Sequence, residues 1–484
     1  MRFGGVALVA LMTASCASVN QELLEAQLPD APAAWAADEN VAAAPTGDWV
    51  AAFNDPTLRG LISDAMAHNN DLLAAAANLD QARAGARITL ANQLPVVGAN
   101  FSAQRSAIVT DPTTAAQAGG GATAQSSRLY INNFSLGGSL SWEIDLWGRL
   151  TDETRASYKD AKAAYADLAG AQLSIAARVS QSWFALIEAR QQRELAERDT
   201  EARERNLRVT ERRYERGVSS SLDVRLSRSA LGSSQANLAL RQRLEMEASR
   251  ALEVLLGRYP AAELEAAENL PVLPPLAGAG APGDILARRP DLIAAEARME
   301  GSGLRARAAR KQLLPQLTLS SRAGTSGPDF SDLTDPRRLA GNMVGGLFQP
   351  LFQGGRLIAN SKRARAAAEA SLYTYVQTVL GAYQEAENAI AAETLLAARE
   401  DALRLAFEEA AAAEDLTERR YASGAATIFN LLDAQTRRIS SESQYIQAQQ
   451  QRVSNRVQLY LAIGGDFLTE EKLAALQLQD ASGE

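Results

Sequence analysis

Two residue types that build metal centres and disulfides are nearly missing from this sequence. Its 484 residues include one cysteine, Cys16, and one histidine, His68. A single cysteine cannot form a disulfide within the chain, and these two residues together cannot supply a Cys/His metal site. A Ser-His-Asp triad would have to use His68, which lies in a polar helical segment. We therefore expect no enzyme, no cofactor and no metal site.

An excess of basic charge and long apolar runs are missing as well. The 49 basic and 57 acidic side chains give a net charge of −8 at pH 7, which argues against a nucleic-acid-binding protein. After the N-terminus, no stretch reaches the roughly 18 apolar residues that a membrane-spanning helix needs. The 16 prolines lie mostly in a few clusters, and Ala, Leu, Gln, Glu and Arg dominate between them. Such a composition is typical of long helices.

The N-terminal residues have the pattern of a secretory signal peptide. A basic Arg2 precedes a short apolar core, Gly4–Met12, and three small residues follow. Cys16 comes next, so the segment resembles a bacterial lipoprotein signal, in which the cysteine is lipidated and becomes the mature N-terminus. Thr13 departs from the aliphatic residue that this pattern prefers. An ordinary export signal with an incidental cysteine is the alternative.

What the sequence does contain is a long internal repeat. The stretch Arg212–Ser219 recurs as Arg419–Ala426, 207 residues later, and the match continues without a gap to Gly257 and Gly464. A repeat at a fixed offset predicts two similar halves that build one object. The predicted organisation is a signal peptide (1–15), an extended arm (16–54), a first repeat (55–270), a linker (271–289), a second repeat (290–465) and a polar tail (466–484).

Each half is predicted to contain one very long helix that ends at the repeated stretch. The apolar spacing of a coiled-coil seam holds without proline from Arg149 to about Arg216, so that roughly 67 residues form a rod of about 100 Å. Gly217 is expected to end this helix, and Ser219 to Ser221 to cap the next one. The other predicted helices run from Asp55 to Gln93, from Leu222 to Leu256, from Leu357 to Tyr421, and from beyond Gly424 to Ile463.

Each half also contains two predicted strands, in which apolar and polar residues alternate. They are Val97–Gln104, Phe134–Leu146, Leu317–Ala323 and Gly341–Phe352. In the second of these, serines and carboxylates occupy the polar face, as in a strand that crosses a bilayer between lipid and a water-filled lumen. A soluble sandwich is the alternative, but the sequence offers no further strands for a second sheet.

Four strands are too few for a water-filled barrel, since outer-membrane barrels have at least about eight. An open sheet in lipid would leave edge backbone groups unpaired, at a cost of several kcal/mol each. The chain is therefore expected to oligomerise. Three copies would supply twelve strands and a tube of twelve helical passages.

Several motifs identify a family resemblance. They are Ser141–Arg149 (SWEIDLWGR), Asp284–Leu292 (DILARRPDL), the two Arg-Arg-Tyr-x-x-Gly turns, and Leu431–Gln435 (LLDAQ). With these motifs the chain resembles bacterial outer-membrane efflux channels of the TolC/OprM type, in the NodT-like lipoprotein branch. The resemblance implies a mainly α fold with membrane β-strands: a homotrimer with a twelve-stranded outer-membrane β-barrel and a long periplasmic α-barrel tunnel.

The same resemblance implies a function without active-site chemistry. It implies a passive exit duct of a tripartite efflux or secretion system, lipid-anchored in the outer membrane and extending into the periplasm. The expected partners are a periplasmic adaptor protein, an inner-membrane transporter of the RND or ABC type, and outer-membrane lipid. A lipid-tethered periplasmic coiled-coil scaffold without a pore is the alternative, against which the alternating face of Phe134–Leu146 argues.

The resemblance also assigns a role to the two turns, residues 212–219 and 419–426, which we call the first and second tips. The helical hairpin of the adaptor is expected to contact them, because small residues there allow a close backbone approach. The glycines also have a purely conformational role as helix terminators, and both roles can hold. The expected contact residues are Gly217, Val218, Ser219, Gly424, Ala425 and Ala426.

A gate is expected at and beyond the second tip. The resemblance places Asp433 in an acidic ring at the constriction, Arg420 and Tyr421 in a network that links helices, and Phe429 in an apolar restriction. Leu226 occupies the position of Asp433 in the first half, so the two halves differ there. A solvated helix carboxylate is the alternative for Asp433. Asp223, near the first tip, is expected to pair with a basic residue.

Overall fold

The computed structural model describes residues 32–37, 49–110, 127–275 and 279–465. The predicted signal peptide, Cys16, most of the predicted arm and the predicted tail lie outside these residues. The chain forms two compact units. The described residues of the first unit are Gln81–Thr110, Ser127–Ala161 and Arg298–Leu372, and those of the second fall within Leu24–Asp80, Lys162–Ala297 and Tyr373–Glu484.

The two halves of the chain have the same order of elements. After a 3-10 turn at Trp49–Phe53, the first half has helices α1 (Pro56–His68) and α2 (Asn70–Ala91), strands β1 (Val96–Thr110) and β2 (Ser127–Ile144), and helices α3 (Arg149–Glu215) and α4 (Ser221–Leu255). The second half has helices α5 (Ile285–Arg288) and α6 (Pro290–Lys311), strands β3 (Gln316–Gly327) and β4 (Ala340–Phe348), and helices α7 (Arg356–Ala422) and α8 (Ile428–Ala462). The long helices α3 and α7 both have 67 residues, and the returning helices α4 and α8 both have 35.

The four strands form one antiparallel sheet in the first unit, in the order β1-β2-β3-β4. The β1–β2 register pairs Val96 with Ser141, and the β2–β3 register pairs Ile144 with Leu317. Strands β1 and β4 are therefore the edges. At the β1–β2 hairpin the strands are longer than predicted. Their backbone pairing continues beyond Gln104 to Thr110, although apolar and polar side chains no longer alternate there. Strand β4 ends at Phe348, short of the predicted Phe352.

Many apolar side chains of this sheet are exposed in the single chain. Examples on the strands are Val97 (74%), Phe101 (56%), Met343 (72%) and Leu347 (66%). None of the helices in the described ranges combines the length and apolar character needed to cross a membrane.

The predicted helix from Asp55 to Gln93 is wrong in one respect, because it is broken at Asn69. Asp55 caps α1 as expected, by accepting hydrogen bonds from the amides of Thr57 and Leu58. Asn69, however, has an extended backbone and begins a second helix, since its Oδ1 accepts from the amides of Asp71 and Leu72 at 2.9 and 3.2 Å. Propensity alone does not reveal this break, because asparagine is tolerated inside helices as well as at their caps.

The core of the second unit is rich in aromatic residues. Trp183 and Phe184 of α3 are almost fully buried, and the Trp183 indole donates to Asp55 Oδ2 at 2.7 Å. The Phe53 ring packs 5.2 Å from Phe184 and 6.3 Å from Tyr460 of α8, between ring centroids. Asp55 thus both caps α1 and fixes the long helix against it.

Each returning helix ends against the break between two earlier helices, and we call these two places the joints. At the first joint, Asn69 Nδ2 donates to the carbonyl of Leu255 at 2.8 Å. At the second joint, Arg289 donates to the carbonyl of Ala462 at 3.1 Å, and Ala462 is the repeat equivalent of Leu255. A left-handed glycine follows each returning helix, at Gly257 and at Gly464.

Candidate functional site

Both tips are helix ends closed by a left-handed glycine, as predicted. Gly217 has φ +74° and Gly424 has φ +80°. The amide of Val218 donates to the carbonyl of Arg213 at 2.8 Å, and that of Ala425 to the carbonyl of Arg420 at 2.8 Å. This is the Schellman arrangement, which satisfies carbonyls that the helix leaves unpaired. A Cβ at either glycine would meet no atom within 4 Å, so backbone conformation, not space, requires glycine here.

The capping residue of the next helix lies three positions after each glycine. Ser220 caps α4, and it forms a reciprocal pair with Asp223: Ser220 Oγ accepts from the Asp223 amide at 3.2 Å, and the Asp223 carboxylate accepts from the Ser220 amide at 2.8 Å. Thr427 caps α8 by accepting from the Asn430 amide. The expected pairing of Asp223 with a basic residue is therefore replaced by a bond to the backbone, because a carboxylate at this position of a helix start satisfies a free amide.

The residues expected to contact an adaptor differ in exposure. Gly217, Val218, Gly424 and Ala425 are exposed, whereas Ser219 and Ala426 are half-buried. Val218 is 74% exposed although it is apolar. Ala426 is turned inward and packs on a small cluster with Tyr421 at its centre. Each tip thus presents a glycine and one short apolar side chain to solvent.

Tyr421 is the most enclosed of the predicted gate residues. It is 7% exposed and packs with Ile428 and Leu431. The Arg213 guanidinium of α3 lies 4.6 Å above its ring and donates to its carbonyl at 3.2 Å. The Thr210 hydroxyl lies 3.3 Å from the Tyr421 hydroxyl. Tyr421 therefore connects the end of α7 to α3.

Arg420 lies beside Tyr421 but faces a different way. Its side chain is exposed. Its carbonyl accepts from the amides of Ala425 and Ala426, so the backbone takes part in the turn. Within the described ranges, its guanidinium makes no hydrogen bond or ion pair. The link from α7 to α3 that the sequence placed at Arg420 and Tyr421 is made by Tyr421 with Arg213.

Phe429 and Asp433 lie one turn apart on α8 and line a shallow groove against α7. Phe429 is 67% exposed. The Asp433 carboxylate accepts from Arg437 at 2.9 Å, and this hydrogen bond and its charge raise the pKa of the Arg437 guanidinium. The other side of the groove is formed by Ala410, Ala413 and Thr417. The groove is thus lined by an exposed apolar ring and an exposed carboxylate, both from α8 of the same chain.

Further hydrogen bonds between α3 and α8 lie above the second tip, and sequence reasoning did not find them. Asn206 donates to Gln435 at 3.0 Å, and Arg203 donates to the hydroxyl of Thr436 at 3.2 Å. The role of Arg213 could have been predicted from the repeat, because Arg213 is the first-half equivalent of Arg420. The other partners lie more than two hundred positions away and no local pattern marks them.

A cleft of about 450 Å³ between α3, α7 and α8 is lined with paired charges. Arg438 bridges Glu414 and Glu442, and Arg198 pairs with Glu442 at 2.5 Å. Burial raises the pKa of Glu414, and Arg438 opposes that rise. These side chains hold α3, α7 and α8 together, and no cluster able to hold a metal ion occurs within the described ranges.

Two family motifs have local structural roles, each within one unit. In the first unit, Asp145 accepts from the amides of Leu150 and Thr151 and so caps α3. In the second unit, Arg289 holds Asp291 and Glu385 at 2.7 and 2.8 Å.

Comparison with known proteins places these features in context. The sequence matches the family model described as outer membrane efflux protein over residues 61–258 and 281–465. The pyoverdine export outer membrane protein OpmQ of Pseudomonas aeruginosa is 30% identical over 426 residues, which cover 88% of this chain and 88% of that protein.

Two further matches are of similar quality. The toluene efflux pump outer membrane protein TtgC of Pseudomonas putida is 31% identical over a match that covers 91% of this chain and 90% of that protein. The solved structure of the outer-membrane channel OprN has a TM-score of 0.82 and 28% sequence identity, and the match covers 91% of this chain and 98% of that chain.

Proposed function

This chain belongs to the outer membrane efflux protein family, and from that premise we propose that three copies of it form one passive exit duct. The family, the protomer fold and the outer-membrane location expected from the sequence are confirmed by the matches over most of the chain. The protein is thus an outer-membrane efflux channel that extends into the periplasm, in a family of channels and not of enzymes. We further propose how the copies assemble, which partners they bind and where the gate lies.

One observation carries the assembly: the sheet of a single chain is open. Strands β1 and β4 each pair on one side only among the described strands. The strands have 9 to 18 residues, and a tilted strand of about 9–11 residues spans a bilayer. Because lipid offers no partner for edge amides and carbonyls, β1 of one copy must pair with β4 of another. Three copies then close twelve strands, a size within the range of outer-membrane barrels.

Planar-bilayer recording of the purified protein, together with its mass in detergent, tests this proposal. We expect the mass of three chains and discrete conductance steps. A protein that has the mass of one chain and never conducts, alone or with the gate substitutions below, would instead support the lipid-tethered scaffold.

We propose that the groove at Phe429 and Asp433 forms the periplasmic gate when three copies assemble. Three symmetry-related carboxylates would attract cations at the mouth of the tube, and three phenylalanine rings would narrow it. Tyr421, with Arg213, links α7 to α3 and so positions the helices that carry these side chains, and Arg420 would act between copies. The proposal is supported by the exposure of Phe429 and Asp433 in the single chain.

Substitution of Asp433 by alanine tests the gate. Asp433→Ala is expected to raise the open probability and to reduce the preference for cations over anions. Glu247→Ala is the control, because Glu247 forms a comparable exposed pair with Arg243 on α4. Exposed pairs of this kind contribute about 1 kcal/mol or less to stability, so both variants should fold. Equal conductance and selectivity in the two variants would remove Asp433 from the gate.

The tips are the proposed docking site for a periplasmic adaptor protein, which in turn recruits an inner-membrane transporter of the RND or ABC type. The support is the exposure of Val218 and Ala425 beside the left-handed glycines. Ala425→Trp should abolish export in cells that carry the adaptor and transporter, while trimer formation remains. Trimer formation and unchanged export in that variant would argue against docking at this tip.

The transported compounds are proposed to be small organic molecules. The relatives OpmQ and TtgC are named for pyoverdine and for toluene, two unlike compounds, although both are about equally similar to this chain. Selection among substrates is therefore assigned to the transporter and not to the duct.

Lipidation of Cys16 remains a prediction. Labelled palmitate should be incorporated into the wild-type protein and lost in Cys16→Ala, with a corresponding shift in the mass of the mature chain.

A further inference from the structure

We infer that Arg420 and Thr417 of one copy bind Tyr214 of a neighbouring copy, in the same way that Arg213 and Thr210 bind Tyr421 within the chain. This inference rests on the proposed ring of three copies and names a contact that holds neighbouring tips together.

The intrachain contact has three parts. The Arg213 guanidinium lies 4.6 Å above the ring of Tyr421. The same guanidinium donates to the carbonyls of Tyr421 and Ala422 at 3.2 and 3.0 Å, where the helix α7 ends. The Thr210 hydroxyl lies 3.3 Å from the Tyr421 hydroxyl. A cation at a helix C-terminus and over an aromatic face is favoured by both the helix dipole and the ring.

The repeat preserves the three side chains of this contact. A shift of 207 positions turns Arg213 into Arg420 and Thr210 into Thr417, and it turns Tyr421 into Tyr214.

The local geometry is preserved as well. The hydroxyls of Thr210 and Thr417 donate to the carbonyls four residues earlier, at 2.9 and 2.7 Å. The carbonyls of Tyr214 and Tyr421 accept from the following tip glycines at 2.9 and 3.1 Å. The backbone around the two sets of side chains therefore has the same hydrogen-bond pattern.

Among the described residues, the side chains of Tyr214 and Arg420 do not form the equivalent contact within one chain. Tyr214 is 50% exposed, against 7% for its equivalent Tyr421. The Arg420 guanidinium is exposed and makes no hydrogen bond or ion pair with any residue in the described parts of the chain. Each copy thus offers Arg420 and Thr417 from α7 and a complementary Tyr214 from α3. Complementary surfaces of this kind join copies head to tail, and such contacts close into a ring.

The hydrogen bonds higher up the helices are not preserved in the same way. Asn206 and Gln435 bond within the chain, but their equivalents are Ala413 and Arg228. Alanine cannot repeat that hydrogen bond. The arginine–tyrosine–threonine set is therefore the part of the intrachain interface that the repeat retains, and it lies at the tips, where the helices must separate if the duct opens.

Cysteine cross-linking in the full-length protein tests the contact. Tyr214→Cys is combined with Arg420→Cys, and the purified oligomer is treated with a short bis-maleimide. The matched control combines Arg213→Cys with Tyr421→Cys, the intrachain pair. We expect the first variant to give covalent dimers and trimers on denaturing gels, and the control to give an internally linked single chain. Single-cysteine variants should give neither, which also controls for Cys16.

Coexpression of a Tyr214→Cys chain with an Arg420→Cys chain provides the second arm, since a cross-linked dimer then proves contact between different chains. The inference is overturned if the control pair reacts while the first pair gives no intermolecular product, or if Tyr214→Cys links only to an adaptor. In that case a trimeric, conducting protein would leave the duct intact. A monomer that does not conduct would overturn both proposals.

Discussion

The two joints solve one problem with different chemistry. At each joint the last carbonyls of a returning helix need a donor from the break between two earlier helices. The first joint uses the neutral amide of Asn69, and the second uses the guanidinium of Arg289, which also holds Asp291 and Glu385. The backbone geometry is the same in both halves, so the fold constrains the position of a donor and leaves its charge free to change.

The joints also differ in how tightly the chain is packed. A Cβ on Gly257 would lie 2.5 Å from the carbonyl oxygen of His68, whereas a Cβ on Gly464 would lie 3.0 Å from the Arg288 side chain. At the tips, the equivalent test finds no atom within 4 Å. The joints are therefore close-packed and the tips are open, although all of these glycines have positive φ.

The largest expected effect comes from Gly257→Ala. A left-handed backbone costs alanine about 1–2 kcal/mol, and here the new methyl group also meets a backbone carbonyl that cannot rotate away. Gly464→Ala should be milder, because its closest contacts would be longer: 3.0 Å to the Cβ of Arg288, and 3.2 and 3.3 Å to backbone atoms of Arg288 and Arg289. Gly217→Ala should lose only the free energy that the left-handed backbone costs alanine, because no atom lies near its new methyl group. The midpoints of thermal unfolding, followed by circular dichroism, should fall in that order, and equal losses at all three sites would contradict the packing difference.

A smaller effect is expected from Glu253→Gln. Burial raises the pKa of Glu253, but hydrogen bonds from the amides of Ala262 and Glu263 outweigh it and lower the pKa below its ordinary value. Its contribution is therefore present above the unfolded pKa and is lost as the pH falls through the folded pKa. We expect the variant to lose about 1–3 kcal/mol at pH 7.

The stability difference between Glu253→Gln and the wild type should shrink as the pH is lowered from 7 to 3. Tyr460, the second-half equivalent of Glu253, packs among aromatic rings. Tyr460→Phe is the matched control and should show no such pH dependence over this range. A constant difference for Glu253→Gln would mean that the carboxylate charge is not what stabilises the segment after α4.

The smallest expected effect separates the two tips. Arg213→Ala removes the cation above Tyr421, which is worth about 1 kcal/mol. The last turn of α7 should then fray, and chymotrypsin should cleave after Tyr421 faster than in the wild type. Arg420→Ala should instead expose Tyr214, and only in the assembled protein. If both variants were cleaved at the same tyrosine, the correspondence between the two tips would be wrong.

Local chemistry explains which features the sequence predicted. Gly217 and Gly424 were found because few other residues adopt positive φ, and the Ser220 cap because its hydroxyl accepts from an amide three positions away. The break at Asn69 was missed because the acceptor for its side-chain amide, the carbonyl of Leu255, is remote in the sequence. Arg213 was missed for the same reason, since Tyr421 lies in the other half. Whether the Arg420 side chain points to solvent or to a neighbouring helix depends on the packing of the helices around it. No pattern in the nearby sequence predicts that packing.

The pairing of β2 with β3 has a consequence for the order of folding. Strand β2 belongs to the first half and β3 to the second, so α3, α4 and the linker lie between them in the chain. The β1–β2 hairpin can form early from neighbouring residues, but its inner edge must wait for a segment synthesised much later. Until then β2 is an exposed apolar edge, open to pairing with another chain. A folding intermediate in which only the first hairpin has formed would therefore be the state most prone to aggregation.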